Sequence, residues 1–494
     1  MESYGVLWLT MGIMALFVPV AYISGRKIGK QTSWVVLLPL VCAALIFLSF
    51  IPKVTAGLSI SEFFVWIPGV RFGLLVDGLS LSVALTIAIL LTAILLYSIP
   101  YMERRIGNDH GGGKRAYATY YALYLLYGIG MIGVAFSTNL FEFFLFYELM
   151  IVPIWAIINA YGYFEREKNA LVFFLWMEAS ALLLLAGILI AYARVGNFEI
   201  SQLTLLNGDA WAIWITLFML AGLLIKMAIV GLHPWLPGTY AEAPAPISAA
   251  LGVCTGLGTY GIVRLLTPLH SALFSVSGWL EFLALMTIAY GGVMALVQND
   301  IKRLLAYSSI SQMGYLLFGI ASYTTIGMAG SMFHYLSHGL AKAILFSVAG
   351  AIIYRTGIRD IRRLRGLASR MPISATVFTI GFIVIAGVPP TVGFMSKWLI
   401  FAGGFQRGLN SSSIELTLAF AAMITTLLTI AYGFFAIRGI FYGHLPARLK
   451  NVKEAPKMMT IPLLILSVLS ILLCIYPGII LDPLMQVINS LIAG

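Results

Sequence analysis

Runs of about twenty apolar residues, the length that crosses a bilayer, recur along this 494-residue chain with only short polar segments between them. Fourteen such runs are centred near residues 13, 43, 86, 128, 150, 181, 221, 257, 286, 312, 340, 392, 426 and 468. Within hydrocarbon every backbone N–H and C=O must be bonded internally, which a helix achieves within one segment. The pattern therefore predicts an all-α, polytopic membrane protein. A composition of 61% hydrophobic and 10% charged residues agrees with that class. The loops leave no room for a soluble catalytic domain. The first apolar run is longer than the core of a cleavable signal peptide and continues into the bundle.

The net charge of +11 does not point to nucleic acid, because the basic residues are dispersed over the inter-span loops. Alternate loops carry most of them, among others Arg26, Lys27, Lys30, Arg104, Arg105, Lys302, Arg303 and the arginines of IRDIRRLRGLASRM, 358–371. The other side holds Lys53, Arg71, Arg194, Arg264 and Arg407. Positive charge accumulates on the cytoplasmic face, so both termini are expected outside. This is the pattern of a multi-pass protein of a prokaryotic, or inner organelle, membrane. Residues 358–371 are expected to form a cytoplasmic surface helix, and GNDHGGGK, 107–114, a flexible loop. The cysteines Cys42, Cys254 and Cys474 are too few and too scattered for a metal cluster or a disulfide framework.

Three lysines interrupt the apolar runs: Lys226, Lys342 and Lys397. A charge near the bilayer centre costs on the order of 3 kcal/mol or more, so such residues mark ion or proton paths. Lysine is the cation that most readily gives up its proton on burial. Lys226 precedes His233-Pro234-Trp235-Leu236-Pro237, and Lys397 follows Gly387-Val388-Pro389-Pro390. Proline removes a backbone donor and clashes with the preceding turn, so the seventh and twelfth spans should both be broken. Paired interruptions in two halves of a chain suggest inverted repeats. The expected organisation is three N-terminal spans in 1–100, two five-span repeats in 119–268 and 275–440, and a last span in 458–494.

Glu148 lies in NLFEFFLFYELMIVPIW, a run with little other polarity, and calls for a cationic partner; Lys226 is the natural one. Glu142, near the start of that run, is expected at the interface. His334, His338 and Lys342 recur at every fourth position, so they share one helical face over about 12 Å. Such a stripe can pass a proton; a metal site would need further ligands that are not nearby. Glu178 is a third acid within a span, which either tunes this relay or pairs with a neighbouring span. Asp77 reads as a helix-start residue. GLGTYG at 256–261 and GIGMIG at 128–133 match a dinucleotide fingerprint, but both lie inside apolar runs, where small residues serve helix packing. No cofactor or metal ligand set is expected in this chain.

Several segments together resemble the antiporter-like membrane subunits of the respiratory complex I superfamily, those of the M type and their counterparts in Mrp antiporters. They are VDGLS at 76–80, FYELMIVP at 146–153, LIKMAIVGLHPWLP at 224–237, AEAPAPISA at 241–249, QNDIKRLLAYSSISQMGY at 298–315, HGLAKAILF at 338–346 and GVPPTVGFMSK at 387–397. The resemblance implies fourteen spans in two inverted repeats. It also implies a coupling pair at Glu148 and Lys226, proton passage along the histidine stripe, and an outlet at Lys397. Partners would be other membrane subunits, the translocated ion a proton or sodium, and the assembly an NAD(P)H-, F420-, ferredoxin- or hydrogen-linked oxidoreductase. The alternative is a multisubunit cation/proton (Na+/H+) antiporter without redox input. Two departures stand out. Gly256 aligns where many members carry a further lysine. Lys397 stands where many subunits of the M type carry glutamate; lysine there is commoner in their sister subunits, in Mrp-type antiporters and in membrane-bound hydrogenase relatives.

Overall fold

The computed structural model describes residues 5–67, 70–109 and 111–493. Helices α1 (Val6–Ile28), α2 (Thr32–Ser49) and the short α3 (Ile51–Thr55) lead to a hairpin of β1 (Ile60–Ile67) and β2 (Val70–Val76). Then follow α4 (Gly78–Asp109), α5 (Lys114–Phe136), α6 (Leu140–Tyr161), α7 (Arg166–Val195), α8 (Ala212–Lys226), α9 (Trp235–Glu242), α10 (Ala245–Thr255) and α11 (Leu257–Gly261). The second half contains α12 (His270–Leu296), α13 (Ile301–Ala321), α14 (Thr325–Thr356), α15 (Pro372–Ala386), α16 (Val392–Asn410), α17 (Ser413–Ile424), α18 (Thr426–Phe441), α19 (Lys457–Ile475) and α20 (Gly478–Ala493). Ten helical stretches among the described residues are long and apolar enough to cross a membrane. The chain is thus an all-α polytopic membrane protein.

Local sequence accounts for the ends of these helices. Asn139 caps α6 by accepting from Glu142 N at 2.8 Å, and Asp300 caps α13 by accepting from Lys302 N and Arg303 N. Glycines 196, 357 and 387 adopt positive φ just past α7, α14 and α15. The expected breaks are present. After α8 the chain leaves the helix at Met227, passes Ala228 at φ 53° and Gly231 at φ 88°, and resumes helix at Trp235. The indole of Trp235 donates to Ile225 O at 3.0 Å, a second donor beside Ala228 N at 2.9 Å, and so ties the two sides of the break together. The second break spans Gly387–Thr391 and includes a cis Pro389–Pro390 bond.

Helices α13 and α14 are buried on nearly all sides and form the centre of the second half. Apolar side chains on α12, α17 and α18, such as Trp279, Leu427 and Phe434, face outward, as lipid or a partner helix requires.

Two local expectations are corrected, and two further features were not foreseen. Residues 358–371 form two 3-10 turns, Ile361–Arg363 and Leu367–Ser369, instead of a surface helix. Ile301 N and Ile361 N bond to Arg359 O and Asn299 O across the two loops, which takes up the backbone that a helix would use. Helix α4 runs on to Asp109, into the expected loop 107–114; His110 of that loop lies outside the described residues. The segment after span two holds the unforeseen hairpin, with Phe64 opposite Phe72 and the Glu62 carboxylate accepting from Leu7 N and Trp8 N at the start of α1. Finally, the C-terminal segment 458–494 holds two helices, and α20 packs against α4 and α14.

Candidate proton-path site

Lys226 is the last residue of α8, at the first break, and is 2% exposed. Its Nζ lies 4.8 Å from the centroid of the Tyr147 ring on α6. Tyr147 and Ser180 share a hydrogen bond, and Ser180 Oγ donates to Gly222 O at 2.7 Å. That chain ties α6, α7 and α8 together beside Lys226. Glu148 is half-buried, and its charge interacts with those of Lys226 and Glu178. The expected Glu148–Lys226 partnership is therefore one of proximity: among the described residues the two make no ion pair within 4.0 Å. The ring face of Tyr147 takes the ammonium instead, an attraction of about 2 kcal/mol where water is excluded.

Glu142, expected at the interface, is fully buried within the protein. It sits in the first turn of α6, and its Oε2 accepts from Thr138 N at 3.2 Å and Gly73 N at 3.3 Å. Backbone donors at a helix start thus hold Oε2, while Oε1 is buried without a hydrogen-bond partner.

Lys342, His338 and His334 line one face of α14, all fully buried. Lys342 Nζ donates to Leu305 O at 2.9 Å and to Ser308 Oγ. His338 has no hydrogen-bond partner on either ring nitrogen and interacts electrostatically with Lys342 and His334. His334 Nδ1 lies 2.9 Å from Ser396 Oγ, and its Nε2 lies 3.2 Å from Gln312 Oε1. Ser396 adjoins Lys397, whose Nζ has no hydrogen-bond partner and lies 4.1 Å from the Tyr315 ring centroid. A Cβ on Gly387 would stand 2.8 Å from Lys397 Cδ, so the second break packs directly on the lysine stem.

One helix, α13, supplies a partner to three of these four side chains. Leu305 O and Ser308 hold Lys342, Gln312 holds His334, and Tyr315 faces Lys397. These positions recur at helical spacing along the inner face of α13. They all belong to QNDIKRLLAYSSISQMGY, whose separate roles are not legible without the facing helix. Sequence reasoning also missed Lys302. Counted among the loop cations, it is fully buried and donates to Ala241 O at 3.0 Å and to Ala243 O, at the end of α9. Arg359 closes the same junction, 2.8 Å from Asp300 and 3.3 Å from Glu242.

Asp77 does start a helix, accepting from Leu79 N and Ser80 N, and it also pairs with Arg264 at 2.7 Å. Arg264, expected in a loop, is buried in a π-helical turn, Ile262–Leu266. At Gly256 a Cβ would meet the Tyr335 ring at 2.5 Å. The space a lysine would need is filled by an aromatic side chain of α14.

Residues 137–429 match the family described as NADH:quinone oxidoreductase/Mrp antiporter, TM. The chain belongs to this family. The matched residues include both broken helices and every candidate site residue. The chain is 32% identical to the NAD(P)H-quinone oxidoreductase chain 4-2 of Synechocystis sp. over 456 residues, covering 88% of this chain and 78% of that one. A chain of the respiratory complex I of Thermus thermophilus with bound NADH superposes with TM-score 0.83 at 26% identity, covering 97% of this chain and 100% of that one. A chain of the Mrp complex from Dietzia sp. shares the fold, with TM-score 0.85 at 22% identity over 98% of both chains.

Proposed function

We propose that this chain is a proton-translocating, antiporter-like subunit of a redox-driven, complex I-type oxidoreductase. The observation that carries the reading is the buried series Lys342–His338–His334–Lys397, held by α13 and ending at a helix break. Lys226, at the other break, is its counterpart in the first half, with Glu148 and Glu178 as the acids that set its field. Each lysine is able to exist charged or neutral, and each histidine to relay a proton through its two nitrogens. Electron transfer belongs to other subunits; this chain contributes the ion path and carries no cofactor of its own.

The fold supports fourteen spans. Helices α1 and α2, α10–α11 and α12, and α17–α18 account for the long stretches, and the interrupted pairs α8–α9 and α15–α16 each complete one span. Of their pieces, α8, α9 and α15 are too short to cross alone, and α16, with Lys397 and Arg407, is long enough but not apolar enough. We assign 119–268 and 275–440 to inverted five-span repeats, after three N-terminal spans in 1–100 and before the C-terminal span in 458–494, and place both termini outside.

The test is proton uptake by inverted vesicles containing the assembled complex. Lys226→Ala should abolish or strongly reduce uptake while the complex still assembles; normal uptake would refute the reading. Identification of the chains that co-purify decides between assemblies. Iron–sulfur and quinone-site subunits support the redox-driven reading. Small membrane subunits alone, with sodium-dependent exchange, support the cation/proton antiporter.

A further inference from the structure

Glu281, on α12, plays no part in the path described so far. It is 1% exposed, and neither carboxyl oxygen has a hydrogen-bond partner. A buried carboxyl without donors is costly for a merely structural role. Its charged neighbours are Arg407 and Glu415. Arg407 lies near the end of α16, about 15 Å of helix beyond Lys397. Its guanidinium reaches Glu415 Oε1 at 2.8 Å and Ser277 Oγ at 2.9 Å. Ser277 stands one turn from Glu281 on α12. The remaining nitrogen, Nη1, is buried and unpartnered. Glu415 thus holds the guanidinium, while Glu281 and Nη1 are both left without hydrogen-bond partners.

We propose that Glu281 is the outlet-side proton carrier of the second half, and that Arg407 governs it by exchanging between Glu415 and Glu281. The proposal rests on the proton-translocation reading. A proton lost from the Lys397 ammonium, with its N–H bond broken, passes along intervening water molecules, each of which takes up one proton and gives up another, and becomes the O–H of Glu281. Turning Arg407 toward Glu281 stabilises the carboxylate, so that O–H bond breaks and the proton passes to the outer solvent. Return of Arg407 to Glu415 resets the site for the next proton. No electron changes hands.

The experiment compares Glu281→Gln, Glu281→Asp and Lys397→Ala in the assembled complex, reading proton uptake per electron transferred. Glutamine keeps the size and neutrality of a protonated carboxyl but carries no exchangeable acid proton. It should lower uptake through this chain by about a hundredfold or more, the lower end of what a positioned acid–base group contributes. Aspartate keeps the chemistry and should restore a substantial part. An infrared band of a protonated carboxyl should be present in the parent complex and absent in Glu281→Gln. Normal uptake in Glu281→Gln beside a dead Lys397→Ala overturns the outlet role and leaves the translocation reading standing. Normal uptake in both refutes the translocation reading itself. Equal loss in the glutamine and aspartate variants, or failure of both to assemble, assigns Glu281 to packing and also overturns the proposal.

Discussion

Replacing Tyr315 by leucine should cripple the second half of the path, whereas replacing it by phenylalanine should barely disturb it. Lys397 Nζ has no hydrogen-bond acceptor, and its nearest favourable group is the Tyr315 ring face, 4.1 Å away. In a site without water such a contact is worth about 2 kcal/mol. Losing it makes the charged lysine about thirtyfold less favourable, since 1.4 kcal/mol is a factor of ten. Phenylalanine keeps the ring and gives up only the long 3.4 Å hydrogen bond to Thr426, a loss of about 0.5 kcal/mol. Leucine also leaves a cavity, which a second measurement must separate from the charge effect. A double-mutant cycle does so. In a Lys397→Met background the leucine and phenylalanine variants keep their packing difference and lose the electrostatic one. The assay is proton uptake by inverted vesicles, scored against electron transfer, with thermal stability of the complex for the cycle. If phenylalanine and leucine reduce uptake equally, or if the cycle gives no coupling between Tyr315 and Lys397, the ring does not hold the ammonium.

Lys397→Arg should be as damaging to uptake as Lys397→Ala, because arginine keeps the charge but does not release a proton at working pH; near-normal uptake with arginine alone would make the charge structural. Glu148→Gln should reduce uptake more than Glu142→Gln, since Glu148 faces the charges of Lys226 and Glu178, whereas Glu142 Oε2 is held by two backbone donors from which a glutamine oxygen also accepts; equal effects on vesicle uptake would count against a role for Glu148. Asp77→Ala should destabilise the complex by about 3–5 kcal/mol by stranding the buried Arg264, measured as a fall in thermal midpoint; an unchanged midpoint would show that Arg264 is solvated. Gly256→Lys should fail to assemble or melt far lower, because Tyr335 occupies the space; a stable, active variant would show that the eighth span readily accepts a lysine there.

The class of this protein was legible in its sequence because hydropathy reports a one-body property: what a segment does when lipid surrounds it. Proline chemistry is equally local: the second break contains Pro389-Pro390, and the first ends at Pro234, although it opens earlier, at Met227. The four-residue spacing of His334, His338 and Lys342 already placed them on one face. Partners, by contrast, were a matter of tertiary structure. In helices that are apolar all round, periodicity gives little sign of which face meets which neighbour. Nothing in the sequence said that Tyr147, and not Glu148, would meet Lys226, or that Tyr315 would meet Lys397. Lys302, Arg264 and Glu281 show the same limit. They lie near span ends or among apolar neighbours, and whether such a side chain turns to water or into the bundle depends on carbonyls and carboxylates from distant segments. Lys302 is held by Ala241 and Ala243, and Arg264 by Asp77. The chain encodes each helix by itself, but burial and pairing arise only when the helices pack, because each of those contacts joins residues far apart in sequence.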